Sequence, residues 1–165
     1  MKKRIFVSVL TVCILLNICL CACSGGKKST VSMYDLKNAM AGATENFSDM
    51  TYASSEDADA EGVFANVSDM DYSKVESFFI YYATNGTGNS DEIAVIQVKN
   101  ASDLDLAKQS LEAHLQKRTA LYSTYDKSQL KKLEAAKTVV SGNCAALIVA
   151  DDTEKIANAF SDFLK

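Results

Sequence analysis

Residues 93–98 and 145–150 constrain this chain more than any other feature, because both are apolar and lack the polar alternation of a half-exposed strand. A strand of that kind is buried on both of its faces. Two arrangements satisfy it. Either helices cover both faces of the sheet, or one face is partly covered by a second copy or a partner. Residues 75–83, which include Phe78, Phe79, Ile80, Tyr81 and Tyr82, and residues 92–99 flank Asn85, Gly86, Thr87, Gly88 and Asn89, a β-hairpin with a slightly long turn. Residues 138–140 and 144–150 flank Ser141, Gly142 and Asn143 and give a second hairpin.

Helical spacing fills the intervals. Ser32 followed three residues later by Asp35 is an N-cap with an acidic third position, and Met33, Leu36, Met40, Ala43 and Phe47 recur at helical spacing, so a first helix is expected over 33–44. A short strand is expected near 50–53 and a short helix over 62–67. Ser102 is expected to cap a long helix, with Asp103 and Asp105 set against the positive end of its dipole, and with Leu104, Ala107, Leu111, Leu115, Arg118, Tyr122 and Tyr125 on one stripe. A shorter helix over 128–136 precedes the second hairpin, and Asp151 or Asp152 caps a final helix whose apolar face is Ile156, Ala159, Phe160 and Phe163. Helices and hairpins in this order make an α+β domain over 32–165. Its antiparallel sheet is built from two hairpins and packs with a long central helix and N- and C-terminal helices.

Ahead of that domain, Lys2, Lys3 and Arg4 precede an apolar run at 5–21 broken by Ser8, Thr11 and Asn17, the pattern of a secretory signal over 1–22. A transmembrane reading competes, because the run approaches the ~18 residues at which a helix begins to span a bilayer. Its end decides. Leu20, Cys21, Ala22 and Cys23 resemble the lipobox of bacterial lipoproteins. That resemblance implies cleavage after Ala22 by signal peptidase II and a thioether-linked diacylglycerol on Cys23, with no other cofactor expected. It also implies a cell-membrane location on the outer, extracytoplasmic face. Each buried methylene contributes roughly 0.8 kcal/mol and a single chain holds a protein only reversibly, so two chains anchor without spanning. Residues 23–31 are then the lipidated cysteine and a flexible tether rich in Ser, Gly and Lys. Four of the five cysteines lie in the first 23 residues, which excludes a disulfide framework for the domain.

Charge narrows the partners. Removing residues 1–22, which carry three basic side chains and no acidic one, leaves 14 basic against 21 acidic side chains, a net charge of −7. Residues 45–76 hold nine acidic side chains and one basic, Lys74. A nucleic-acid partner needs clustered Lys and Arg, so none is expected. The expected partners are the membrane, through the lipid, and a protein partner or a second copy.

The ensemble resembles a known family. The lipobox, the hairpin through Phe78, Phe79, Ile80, Tyr81 and Tyr82 into Asp91, Glu92, Ile93, Ala94 and Val95, the helix carrying Arg118 and Tyr125, and the run from Gly142 through Cys144 to Val149 ahead of Asp151 and Asp152 are similar to bacterial lipoproteins of domain-of-unknown-function family 4358. The likeness covers roughly residues 34–165. It implies location and fold, and it carries no catalytic or ligand-binding residues over to this chain.

Three constellations bear on chemistry. Asp57, Asp59 and Glu61 ahead of Gly62 imitate the start of a calcium loop, but Ser68 stands where the bidentate Glu belongs, so the segment reads as a solvated acidic loop with weak calcium binding as the alternative. Cys144 and His114 are the one conceivable thiol–imidazole pair. Cys144 sits in an apolar strand, however, and a buried free cysteine behaves as a small hydrophobe. Arg118, Tyr122 and Tyr125, at spacings of four and three, could bind an anionic ligand or simply pack an Arg stem on aromatics beneath a loop. With no complete catalytic constellation, the expectation is a non-catalytic, lipid-anchored binding or assembly module. The alternative is a protein that captures a small ligand or ion for a membrane partner.

Overall fold

The two all-apolar segments become neighbours at the centre of one antiparallel sheet. The computed structural model describes residues 31–47, 49–84 and 86–165. The signal over 1–22, Cys23 and the tether as far as residue 30 lie outside the described residues. Five strands, β1 (Met50–Ser54), β2 (Val75–Ala83), β3 (Glu92–Val98), β4 (Lys137–Ser141) and β5 (Cys144–Val149), stand in the order β1-β2-β3-β5-β4. Every neighbouring pair is antiparallel. In the central pair Ile93 faces Ile148, Ala94 faces Leu147 and Val95 faces Ala146, and every residue of β3 and β5 is buried.

Helices of the same chain cover both faces, the first of the two arrangements the sequence allows. On one face Ala94, Ile96, Leu147 and Val149 pack with helix α2 (Ala60–Phe64), the long α3 (Leu104–Tyr125) and α4 (Leu130–Glu134) through Phe64, Ala107, Leu111 and Leu133. On the other, Phe79, Ile93, Val95, Cys144 and Ile148 pack with α1 (Met33–Ala41) and α5 (Thr153–Phe163) through Leu36, Met40, Ile156 and Phe160. A fully buried Leu, Ile or Phe contributes roughly 1.5–3 kcal/mol, so these two interfaces hold the fold. Among the described residues no helix is long and apolar enough to cross a membrane.

Boundaries shift where side chains compete for backbone. The first helix stops at Ala41, not residue 44, because Gly42 caps it and the Thr44 hydroxyl turns away to donate to Asp152 Oδ2 at 2.7 Å. The short helix starts at Ala60, since Asp59 accepts the Gly62 N–H, and ends at Phe64, where Asn66 takes the Gly62 and Val63 carbonyls. Ser102 does not cap α3. Residues 101–103 form a 3₁₀ turn, and Asp103, at the cap position, uses its carboxylate on Lys74 at 2.8 Å. A 3₁₀ turn at Lys127–Gln129 shortens the helix expected over 128–136 to Leu130–Glu134. In α5 the buried apolar side chains are Ile156, Ala157 and Phe160, and Phe163, its last residue, is exposed. Asp152 holds its cap position without capping, because its carboxylate accepts from Thr44 and Asn46 and pairs with Lys155.

Candidate functional site

β3 opens on a carboxylate that has no place in an apolar sheet unless it is paired. Glu92 is its first residue, with only 7% of its side chain exposed, on the face that meets α3. α3 answers with His114 and Arg118, four apart and therefore on one face. His114 Nε2 lies 2.9 Å from Glu92 Oε1, and Arg118 Nη1 lies 3.1 Å from Oε2, so each carboxylate oxygen has its own partner. A carboxylate oxygen only accepts, which places the hydrogen of that contact on His114 Nε2. Burial pushes the Glu92 carboxyl up, but the His114 hydrogen bond and the Arg118 charge outweigh it and hold the group below the usual carboxylate range.

The three residues before Glu92 are locked in the same way. Tyr122 donates its hydroxyl to the Asn89 carbonyl at 3.0 Å, and Gln129 Oε1 accepts from the Ser90 N–H and hydroxyl. Lys132 Nζ reaches Asp91 Oδ1 at 2.6 Å and Asn89 Oδ1 at 3.2 Å, and Asp91 is 3% exposed. Side chains of α3, α4 and the turn between them thus grip every residue of the run 89–92.

Against this anchored limb opens a cleft of about 380 Å³, between the β2–β3 connection and the outer end of α3. Thr84, Gly86, Thr87, Gly88 and Asn89 form one wall, and Arg118, Leu121, Tyr122 and Tyr125 the other. The volume is at the lower end of the range of small-ligand pockets, roughly 300–1,000 Å³. Arg118 sits at its inner edge with 15% of its side chain exposed, its guanidinium carbon 5.7 Å from the Tyr122 ring centre. Among the described residues its Nη1 is the one buried side-chain N or O atom with no hydrogen-bond partner, its approach to Glu92 being misaligned. Leu121 and Tyr125, 63% and 78% exposed, form the rim.

The structure therefore brings Arg118, Tyr122 and Tyr125 to one cleft, but not as a single buried stripe. Leu104, Ala107, Leu111 and Leu115 pack in the core, Arg118 and Tyr122 are half-buried at its edge, and Tyr125 lies outside it. It separates Cys144 from His114. The thiol packs on the α1/α5 face and His114 belongs to α3 on the opposite face, so the sheet itself stands between them. Burial pushes the Cys144 thiol up to about 12. In the acidic loop Asp57 Oδ2 accepts the Ser54 N–H at 2.8 Å, Asp59 caps α2 and Glu61 is exposed. Among the described residues no three His, Cys, Asp or Glu side chains are grouped to hold a metal ion. Sequence reasoning missed Glu92, Asp91, Gln129 and Lys132. The available signal was the polar run at 89–92 directly ahead of a strand whose burial leaves no solvent for a charge.

No curated protein and no solved structure matches the chain. A family model described as Domain of unknown function (DUF4358) matches residues 49–150, more than half of the chain, from the residue before β1 to the residue after β5. The matched span holds the sheet, α3 and the Glu92 and Asp91 ion pairs described above, while α1 and α5 lie beyond it. The chain belongs to the DUF4358 family.

Proposed function

We propose that this chain is a lipid-anchored, extracytoplasmic binding module without catalytic activity, held to the outer face of the cell membrane through Cys23, and that the Arg118 cleft is its ligand site. The observation that carries the reading is the placement of Arg118. A guanidinium offers five N–H donors, one end of this one is fixed by Glu92, and its plane is backed by Tyr122 at the inner edge of an open cleft. Such a site suits a small organic anion, with the charged group against Arg118 and a flat or apolar body against Tyr82, Leu121 and Tyr125. The separation of Cys144 from His114 by the sheet supports the non-catalytic part. The anchor rests on Leu20, Cys21, Ala22 and Cys23.

Two experiments test the two halves. Globomycin, which blocks the lipoprotein peptidase, is expected to accumulate unprocessed precursor, and processing that ignores the drug removes the anchor. Thermal melting of the full chain against a panel of aromatic and aliphatic carboxylates and phosphates is expected to show saturable stabilisation, about 2.7 kcal/mol at a hundred times the dissociation constant. Tyr125→Ala, at an exposed rim position, is expected to weaken that response without lowering the unliganded melting temperature. Silence across the panel sinks the ligand reading. A partner protein seated on the rim is the second reading, because Leu121 and Tyr125, both exposed and four apart on one helix face, set two large apolar side chains beside each other in solvent.

A further inference from the structure

On the face opposite the cleft, one lysine ammonium is enclosed by three tyrosine rings. Lys37 Nζ lies 4.8 Å from the ring centre of Tyr34, 5.4 Å from that of Tyr81 and 5.5 Å from that of Tyr52. The rings come from three elements, α1, β1 and β2, and their orientations are set by neighbours. Tyr52 meets Tyr34 edge-on at 6.2 Å and leans on the fully buried Phe79, while Phe47 meets Tyr81 edge-on at 5.8 Å. Glu56 and Asp57, after β1, are close enough for their charges to act on the Tyr52 hydroxyl, so the surroundings favour a cation. Tyr34 is 57% exposed, which opens the cluster to solvent.

Lysine is a poor match for such a site. Its ammonium is compact, strongly hydrated and carries three N–H donors, and ring faces satisfy those donors weakly. Asn38 Oδ1 is the hydrogen-bond acceptor Lys37 has found. A quaternary ammonium has no N–H to satisfy and a diffuse charge, and several aromatic faces around one cation are the arrangement that recognises it. Lys37 itself is half-buried, on a flexible four-carbon stem. We propose that Tyr34, Tyr52 and Tyr81 form a binding site for a quaternary ammonium group and that Lys37 occupies it as an internal stand-in until such a ligand displaces it. This site is independent of the Arg118 cleft, and either reading can fail without the other.

The test is calorimetric titration of tetramethylammonium chloride into the full chain in detergent micelles, with ionic strength matched by sodium chloride. The native chain is expected to bind saturably at millimolar concentration. Lys37→Ala is expected to bind about tenfold more tightly, the factor that follows if Lys37 holds the site in roughly nine-tenths of molecules. Tyr34→Ala, at an exposed position, is expected to weaken binding in both backgrounds with the melting temperature unchanged. Neopentyl alcohol, a neutral analogue that keeps the branched bulk of tetramethylammonium without its charge, is expected not to bind. Choline compared with glycerophosphocholine then tells a free ligand from a lipid headgroup, and binding of either satisfies the proposal. No saturable heat from the native chain overturns it, as does equal binding of neopentyl alcohol, which would make the cluster an apolar crevice. Unchanged affinity in Lys37→Ala overturns the stand-in role.

Discussion

Glu92 and Arg118 meet at 3.1 Å where β3 begins and the outer half of α3 leaves the core, and that contact ties the wall of the cleft to the centre of the sheet. The same carboxylate takes His114 on its other oxygen at 2.9 Å. A ligand that draws on the guanidinium therefore also pulls on the strand that pairs with β5.

Glu92→Gln is expected to destabilise the domain by about 3–5 kcal/mol, because it strands Arg118 beside a group that no longer neutralises it. Arg118→Met added to that variant is expected to cost less than its effect alone, since no unpaired charge remains. Chemical denaturation of the four chains in a double-mutant cycle measures this, and strictly additive losses would show that the pair is not coupled.

Acid sensitivity follows from the direction of the Glu92 shift. Its carboxyl is held below the ordinary value of 4.5 by His114 and Arg118 despite burial, so the unfolded chain takes up the proton first as pH falls. Its contribution is complete above the ordinary carboxylate range and is lost as pH drops through the depressed folded value. Asp69, Asp71 and Asp152 are shifted the same way by Lys117, Ser73 and Thr44 respectively, so native stability alone does not isolate Glu92. The expected readout is the difference between the native chain and Glu92→Gln. It is expected to hold its full value at about pH 5, just above the ordinary carboxylate range, and to shrink below that. A difference that stays level to pH 3 contradicts the assignment.

Much of this architecture is legible in sequence because burial on two faces leaves a distinct trace. The apolar runs of β3 and β5 demanded cover on both faces, and Met33, Leu36, Met40, Leu111 and Phe160 supply it from helices at the expected spacing. Cap positions were less legible. Asp103 and Asp152 stand at helix cap positions and neither caps, because partners distant in sequence take each carboxylate: Lys74 at Asp103, and Thr44 and Asn46 at Asp152. Arg118 and Tyr122 were recognisable from their spacing, but the partner of Arg118, Glu92, sits 26 residues before it in another element, and no local pattern joins the two.

Lys132 is expected to matter as much as Arg118. It is the ammonium within 2.6 Å of the nearly inaccessible Asp91, and it also holds Asn89 Oδ1. Lys132→Met keeps the stem and removes the charge, with an expected loss of about 3–5 kcal/mol from the unpaired carboxylate. Asp91→Asn in the same chain should recover part of it. Equilibrium denaturation decides, and a loss within about 0.5 kcal/mol of zero, the range of ordinary surface changes, would mean Asp91 finds another partner.

The second hairpin turns on Gly142, whose φ of +57° lies in the left-handed region at the first of two central residues, before Asn143. A Cβ there would meet no atom within 4 Å, so a substitution is opposed by the backbone alone. Gly142→Ala is expected to cost about 1–2 kcal/mol, and Gly142→Asn less, because asparagine tolerates that conformation. A thermal melt in which alanine is neutral would show that the turn adopts another geometry.

The thiol of Cys144 makes the sharpest contrast between a packing role and a reactive one. It is completely buried on the α1/α5 face of β5, with Asn143 Oδ1 3.9 Å from the sulfur, and burial pushes it up to about 12. At neutral pH the thiolate, which is the species that reacts, is therefore negligible, and reagent reaches the sulfur only when the sheet opens. Iodoacetamide is expected to leave Cys144 unmodified in the native chain and to label it in denaturant, read by peptide mass so that Cys13, Cys19, Cys21 and Cys23 do not confuse the count. Cys144→Ser is expected to cost about 1–3 kcal/mol, because a hydroxyl lacking a good partner is costly in that apolar layer. Cys144→Ala, which buries no polar group, is expected to cost less than the serine. Rapid native labelling, or a serine variant as stable as the parent, would place the thiol at an accessible polar surface and break the packing account.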